Sequence, residues 1–318
     1  MSERTPRPRA AESLGFQHII YEKAPPIARV TINRPEVLNA LDFSTLREMS
    51  RAFEDASWDD AVAVVVLTGA GDRAFCTGAD LNEQEQFLRT PRDYWKWMGA
   101  FIEAQERLRT IGKPTVARLN GMVVGGGNEF NIACDLAVAV DDIVIRHVGP
   151  ARGSVPAAGA TQWLPLIVGD RRAREMLFLC EEMPARQALE WGLVNQVVPR
   201  GELDGAVDAL ARKLADKLPE VTRYTKQQLN FWRDLSWHLT IGHAREWLTL
   251  HAGSPETQEG LEAFREKRPV DYAGIRRKLA RGESTEHAWG PPVRTCPHCG
   301  ATHLPEQFTH CGNCGRKL

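Results

Sequence analysis

An unbroken apolar run, Val62-Ala-Val-Val-Val-Leu-Thr68, ends abruptly in Gly69-Ala-Gly71. A strand covered on both faces has no reason to alternate, so this run predicts a buried parallel strand. Upstream, apolar runs from His18 and over Ile27–Ile32 flank Ala24-Pro25-Pro26 and predict a β-hairpin. Helical spacing follows from Asp42 to Glu54 and from Tyr94 to Leu108. Next come a strand over Pro114–Leu119, a Gly-rich turn into a helix over Gly125–Cys134, and a strand over Leu136–Val140. Strands alternating with helices predict a layered α/β domain whose functional groups sit at strand-to-helix turns. Beyond Arg171 the pattern is helical to about Leu250, over Ala173–Leu179, Ala185–Trp191 and Leu203–Leu218. The polar segment Glu283–Pro292 ends Gly-Pro-Pro and reads as a linker.

Composition narrows the class. With 318 residues, 43% hydrophobic and 25% charged, the chain can build one sizeable core and a minor appendage. Lys and Arg number 40 against 41 Asp and Glu, so no global field draws the protein to nucleic acid or an anionic membrane. No stretch approaches the roughly 20 apolar residues of a membrane span, and the N-terminus lacks the apolar core of a secretory signal. A cytoplasmic protein is expected, with residues 1–15 a disordered tail. Cys76, Cys134 and Cys180 are scattered in the body and read as small buried hydrophobes, whereas Cys296, Cys299, Cys311 and Cys314 crowd the last segment.

Candidate chemistry lies in two Gly-rich turns, Phe75-Cys-Thr-Gly-Ala-Asp-Leu81 and Asn120-Gly-Met-Val-Val-Gly-Gly-Gly-Asn-Glu-Phe130. Each stands where a predicted strand hands over to a helix. Backbone N–H groups at such a turn lack intrahelical partners, so two turns facing each other could hold one developing oxyanion. Turns that merely need glycine would have the same spacing.

Ordered motifs extend this picture: Asn33-Arg-Pro35, Leu38-Asn-Ala-Leu41, Ala74–Leu81, Gly125-Gly-Gly-Asn-Glu129 with Cys134-Asp135, Gly159-Ala-Thr-Gln162, Ala185–Asn195 and Glu259–Arg268. In these residues the body, about 16 to 272, resembles the crotonase (enoyl-CoA hydratase/isomerase) superfamily. The resemblance implies an α/β fold with a ββα spiral core and a helical C-terminal region. It also implies trimers, often paired into hexamers, and an oxyanion hole for a coenzyme A thioester made by the N–H groups of Ala79 and Gly126. Glu129 matches the first of two acid/base glutamates in the family's hydratases. Leu38, Ala40, Asp80, Leu81 and Gly125 fall on substrate-binding motifs, and Phe264 and Lys267 match the segment that covers the adenine and pairs with CoA phosphates. The second glutamate is absent. Gly149 stands at its position, which is expected to widen the pocket and leave Ser154 to help position water; His147 and Arg152 are further polar candidates.

The string Val148–Pro165 is most similar to 6-oxocyclohex-1-ene-1-carbonyl-CoA hydrolases, and more distantly to 2-ketocyclohexanecarboxyl-CoA hydrolases and 1,4-dihydroxy-2-naphthoyl-CoA synthases. It departs from them at Arg152, where the first group commonly has histidine, and at Pro156, where the other two typically have aspartate. The expectation is an acyl-CoA hydratase or hydrolase acting on an α,β-unsaturated, cyclic acyl group. The alternatives are an enoyl-CoA isomerase or linear enoyl-CoA hydratase, and, in another class, a thioester-binding scaffold.

Cys296-Pro-His-Cys-Gly300 and Cys311-Gly-Asn-Cys-Gly315 are two CxxC knuckles, each followed by glycine. Each aims two sulfurs at one point, so together they predict a closed, structural, four-thiolate zinc site in a ribbon over residues 293–318. His298, His303 and His310 are surplus to that shell. A protein or nucleic-acid partner is the expected role of such a module.

Overall fold

The computed structural model describes residues 9–87, 90–282, 293–302 and 304–318. The predicted linker over 283–292, His303 and the first eight residues lie outside them. The predicted disordered tail is corrected at its end: residues Ala11–Leu14 form a short 3-10 helix, and Leu14 is buried against the core.

The chain opens with an antiparallel hairpin of β1 (Ile19–Ala24) and β2 (Ile27–Ile32), followed by α1 (Phe43–Trp58), whose N-terminus is capped by Asp42 accepting from Thr45 N at 2.7 Å. Three similar passages come next. The first is β3 (Val64–Gly69), β4 (Ala74–Cys76), α2 (Leu81–Phe87) and α3 (Pro91–Arg109). The second is β5 (Thr115–Leu119), β6 (Met122–Val124) and α4 (Gly126–Ala133). The third is β7 (Leu136–Val140), β8 (Val144–Arg146), α5 (Ala160–Val168) and α6 (Asp170–Leu179). Then follow β9 (Met183–Pro184), α7 (Ala185–Glu190), β10 (Gln196–Val198), α8 (Leu203–Ala215), α9 (Pro219–His251), α10 (Pro255–Arg265) and α11 (Tyr272–Ala280). A final hairpin pairs β11 (Val293–Arg294) with β12 (Leu304–Pro305).

In each passage the first strand joins one sheet and the second joins another. The larger sheet runs β1-β2-β3-β5-β7-β10 and is parallel after its opening hairpin; the smaller runs β4-β6-β8-β9, parallel except at β9. Each circuit of strand, strand and helix adds a neighbour to both sheets, so the chain advances as a spiral of ββα units. The run that predicted a doubly covered strand is β3, all of whose residues are buried.

Helix α9 is anchored to the body by stacked indoles: Trp163 of α5 and Trp237 of α9 are fully buried with ring centroids 4.6 Å apart. Beside them the buried Arg109 of α3 pairs with Asp234 of α9 and, at 2.9 Å, with Glu106. Helices α10 and α11 then fold over the turn after β8, where Thr257 Oγ1 donates to Gly153 O at 2.6 Å and Tyr272 Oη to Ala151 O at 3.0 Å. Among the described residues no helix is long and apolar enough to cross a membrane.

Replacing the indole of Trp163 by a methyl leaves a cavity at this joint. Trp163→Ala is expected to cost about 3–5 kcal/mol of stability, read as a lowered denaturation midpoint in urea.

Candidate active site

Two asparagines hold the loops from which the site is built. Asn120 accepts from Thr68 Oγ1 (3.1 Å) and Gly69 N (3.2 Å), and donates to Gly69 O (2.9 Å) and Gly71 O (2.7 Å). Asn39, buried and in the left-handed region at φ 55°, donates to Ala70 O (3.0 Å) and Ala74 O (2.7 Å). Leu41 then bridges to the first Gly-rich turn: its N–H donates to Gly78 O (2.7 Å) and its carbonyl accepts from Asp80 N (2.9 Å). In a parallel bridge of this kind the intervening residue turns its own N–H away. The Ala79 N–H accordingly has no acceptor among the described residues, and neither has that of Gly126, the first residue of α4.

The turns touch. A Cβ on Gly78, which sits at φ 87°, would stand 2.9 Å from Gly126 N, so the approach requires glycine. They open onto a cavity of about 670 Å³. Leu38, Ala40, Ala79, Asp80, Leu81, Gly125, Gly126, Glu129, His147, Gly149, Arg152, Ser154, Pro156 and Phe264 all line it. Lys267 does not; it is exposed at the end of α10 with φ 54°. The carboxylate of Asp80 is engaged within the protein, pairing with Arg34 at 2.8 Å and accepting from Asn82 N and Glu83 N at the start of α2.

Glu129 is buried at 6% exposure on α4. Its Oε1 accepts from Ala158 N (2.9 Å) and, more loosely, from Ala160 N (3.4 Å), while Oε2 takes no hydrogen bond from the described chain. Burial raises its pKa to about 7, and the Ala160 and Ala158 N–H groups only partly offset this. His147 is wholly buried, with Nε2 2.9 Å from Asn128 Nδ2; burial lowers its pKa to about 4 and keeps the ring neutral. The Arg152 guanidinium lies over the Phe264 ring, 5.4 Å from its centroid.

Gly149 requires a correction. The chain folds back at this point, with Ser154 N donating to Gly149 O at 2.9 Å. A Cβ on Gly149 would meet Ser154 O at 2.8 Å and the Pro156 ring at 3.1 Å. The glycine therefore serves the turn rather than widening the cavity.

One polar residue of the wall escapes the sequence reading. Tyr94 lines the cavity with Trp97, Met98 and Phe101 of the same helix face. Ser154 lines the same cavity; burial, with the Glu129 charge adding to it, pushes the Tyr94 pKa up to about 12, and the Ser154 side chain partly offsets the rise. The spacing of these four residues was the available signal, but such a stripe more often marks plain core.

Outside the residues that line this cavity, the sulfurs of Cys296, Cys299, Cys311 and Cys314 lie within 4.8 Å of one another. The Cys296–Cys314 and Cys299–Cys311 separations are 3.7 and 3.6 Å. These are close to the edge, about 3.8 Å, of a tetrahedron with metal–sulfur bonds of about 2.3 Å, and far from the roughly 2.05 Å of a disulfide. The N–H groups of His298 and Asn313 approach the sulfurs of Cys296 and Cys311 at 3.4 Å, as two metal knuckles would have it. His298 Nε2 instead faces Lys317 O at 3.1 Å and His310 Nδ1 faces Thr309.

Residues 22–275 match the Enoyl-CoA hydratase/isomerase family, and the chain belongs to it, as an enzyme of the crotonase superfamily whose substrates are acyl-CoA thioesters. The fold is similar to that of an enoyl-CoA hydratase/isomerase from Xanthobacter autotrophicus Py2, at 32% identity over 84% of this chain and 98% of that one, with a TM-score of 0.73. It is similar also to an enoyl-CoA hydratase from Mycobacterium avium subsp. paratuberculosis K-10 (26% identity, 80% and 98% covered, TM-score 0.73). A third similar structure is an enoyl-CoA hydratase from Bacillus anthracis (29%, 81% and 100%, TM-score 0.66). The cysteine module lies beyond the matched residues.

The raised pKa of Glu129 has a testable sign. Its carboxyl is protonated in both folded and unfolded chains below its ordinary value of 4.5, so stability from this group is fully present there and is lost as pH rises through about 7. Carbon-13 NMR of labelled glutamate is expected to show one carboxyl titrating near 7, a signal absent from Glu129→Gln.

Proposed function

We propose that the chain hydrates the conjugated double bond of a cyclic, α,β-unsaturated acyl-CoA. The observation that carries this reading is the meeting, in one cavity, of the buried Glu129 carboxyl with the free N–H groups of Ala79 and Gly126. Addition of water at the β-carbon pushes charge onto the thioester oxygen, and two fixed N–H donors stabilise that charge by several kcal/mol. Glu129 then takes the proton from water and returns it to the α-carbon, a double duty made necessary because residue 149 supplies no second carboxyl. A pKa near 7 suits it to both halves. The aromatic and apolar wall of Trp97, Met98, Phe101, Leu248 and Leu261 supports a bulky ring over a short linear chain. Phe264 is assigned to the adenine and Lys267 to the CoA phosphates.

The cysteine module is inferred to hold one structural zinc, because its four sulfurs gather within 4.8 Å of one another, two pairs of them at 3.6 and 3.7 Å, and four thiolates would fill a tetrahedral shell. Assembly into trimers, or pairs of trimers, is supported by the row Leu229, Trp232, Leu235 and Leu239, exposed at 70, 67, 42 and 79% along α9.

Three outcomes follow. Glu129→Gln is expected to lower kcat by about 10²-fold or more while CoA-thioester binding survives; retention of more than about a tenth of the activity, a loss under roughly 1.4 kcal/mol, removes it from the chemistry. Hydration of cyclohex-1-ene-1-carbonyl-CoA should exceed that of crotonyl-CoA in kcat/KM, and the reverse order sinks the cyclic assignment. Elemental analysis should find one zinc per chain, lost in the Cys296→Ser/Cys311→Ser variant with kcat unchanged; a collapse of kcat in an otherwise folded variant would tie the module to catalysis.

A further inference from the structure

The reaction needs a second polar group to aim the attacking water, and the position where a second glutamate was expected carries no side chain. Space for a Cβ there is already filled by Ser154 O and Pro156. On the α3 wall, four residues at helical spacing turn to the cavity: Tyr94, Trp97, Met98 and Phe101. The Trp97 indole N–H is already given to Glu83 at 2.8 Å, and Met98 and Phe101 have no donor. Tyr94 therefore brings the one hydroxyl of this wall. It shares the cavity with Ser154, in the turn tied to Gly149, and with Glu129, whose charge adds to the rise in its pKa.

We propose that the Tyr94 hydroxyl holds the attacking water beside Glu129 and replaces the missing second glutamate as its positioning group. The inference rests on the hydration reading above. Tyr94 accepts a hydrogen bond from one hydrogen of the water and gives its own to Ser154 Oγ. The other hydrogen of the water passes to the Glu129 carboxylate as the water oxygen bonds to the β-carbon. The π pair moves to the α-carbon and the thioester oxygen, and Glu129 returns the proton to the α-carbon. Hydrogen and hydroxyl have then been added across the double bond with no change in redox state. Tyr94 keeps its proton throughout, in keeping with a pKa pushed up to about 12.

The test uses two readouts on the full chain: hydration of crotonyl-CoA and cyclohex-1-ene-1-carbonyl-CoA, and exchange of the α-hydrogens of butyryl-CoA in D₂O, which needs Glu129 and the oxyanion donors but no attacking water. Tyr94→Phe is expected to lower the kcat of hydration at least about tenfold, with KM within about twofold and α-exchange retained. Retained exchange also serves as the folding control. Ser154→Ala should fall less, and the double variant should be no slower than Tyr94→Phe alone, since both act on one water. A fall smaller than tenfold in Tyr94→Phe, or α-exchange that falls in parallel with hydration, overturns the assignment. Glu129→Gln should lose both activities. If it keeps them, or if the wild-type chain hydrates neither thioester, the hydration reading itself fails and this one goes with it.

Discussion

The contact on which the site depends is the approach of one backbone turn to another, Gly78 against Gly126 N at a distance that excludes any Cβ. The ββα spiral makes it possible. Successive passages lay β4 beside β6 in the smaller sheet, so the turns that follow these strands emerge side by side. Asn39, Asn120 and the Arg34–Asp80 pair then fix the loops around them. The Ala79 and Gly126 N–H groups are left without partners among the described residues, which is costly unless a ligand or water completes them. Polar groups held open by a rigid frame can receive charge without reorganising during the reaction.

Glu129 shows the complementary strategy. Placing it four residues along α4 from the cavity turn puts a carboxyl in low dielectric, where desolvation works against ionisation and two N–H donors to one oxygen restrain the rise. The other oxygen remains available. A single group near neutrality can both accept and return a proton.

The C-terminal elements close the site and set its breadth. Helix α9 is held by the Trp163–Trp237 stack, and α10 brings Leu261 and Phe264 to the cavity. The cysteine module is separate in kind: its four sulfurs lie within 4.8 Å of one another and could hold a metal ion, and none of them lines the cavity.

The larger-sheet strands other than β10 were legible because a run such as Val62–Thr68 has one physical explanation, burial on both faces; β10, three residues in a region that reads as helical, was not. The two glycine turns, Glu129 and the four-cysteine set were legible because their chemistry is local in sequence. The smaller sheet was not, since β4, β6 and β8 are three-residue strands too short to carry a period. Nor was the ordering of Ala11–Leu14, which rests on a core contact made by Leu14. Gly149 reads in sequence as added space, but the chain folding back through Ser154 and Pro156 occupies that space first. Tyr94 reads as one more aromatic on a helical stripe; only the packing of α3 against the 149–158 turn puts it on the wall of the cavity that Ser154 and Glu129 also line. Sequence determines what each local segment can form and which groups it offers, whereas the side of a cavity that a group reaches depends on contacts between segments far apart in the chain.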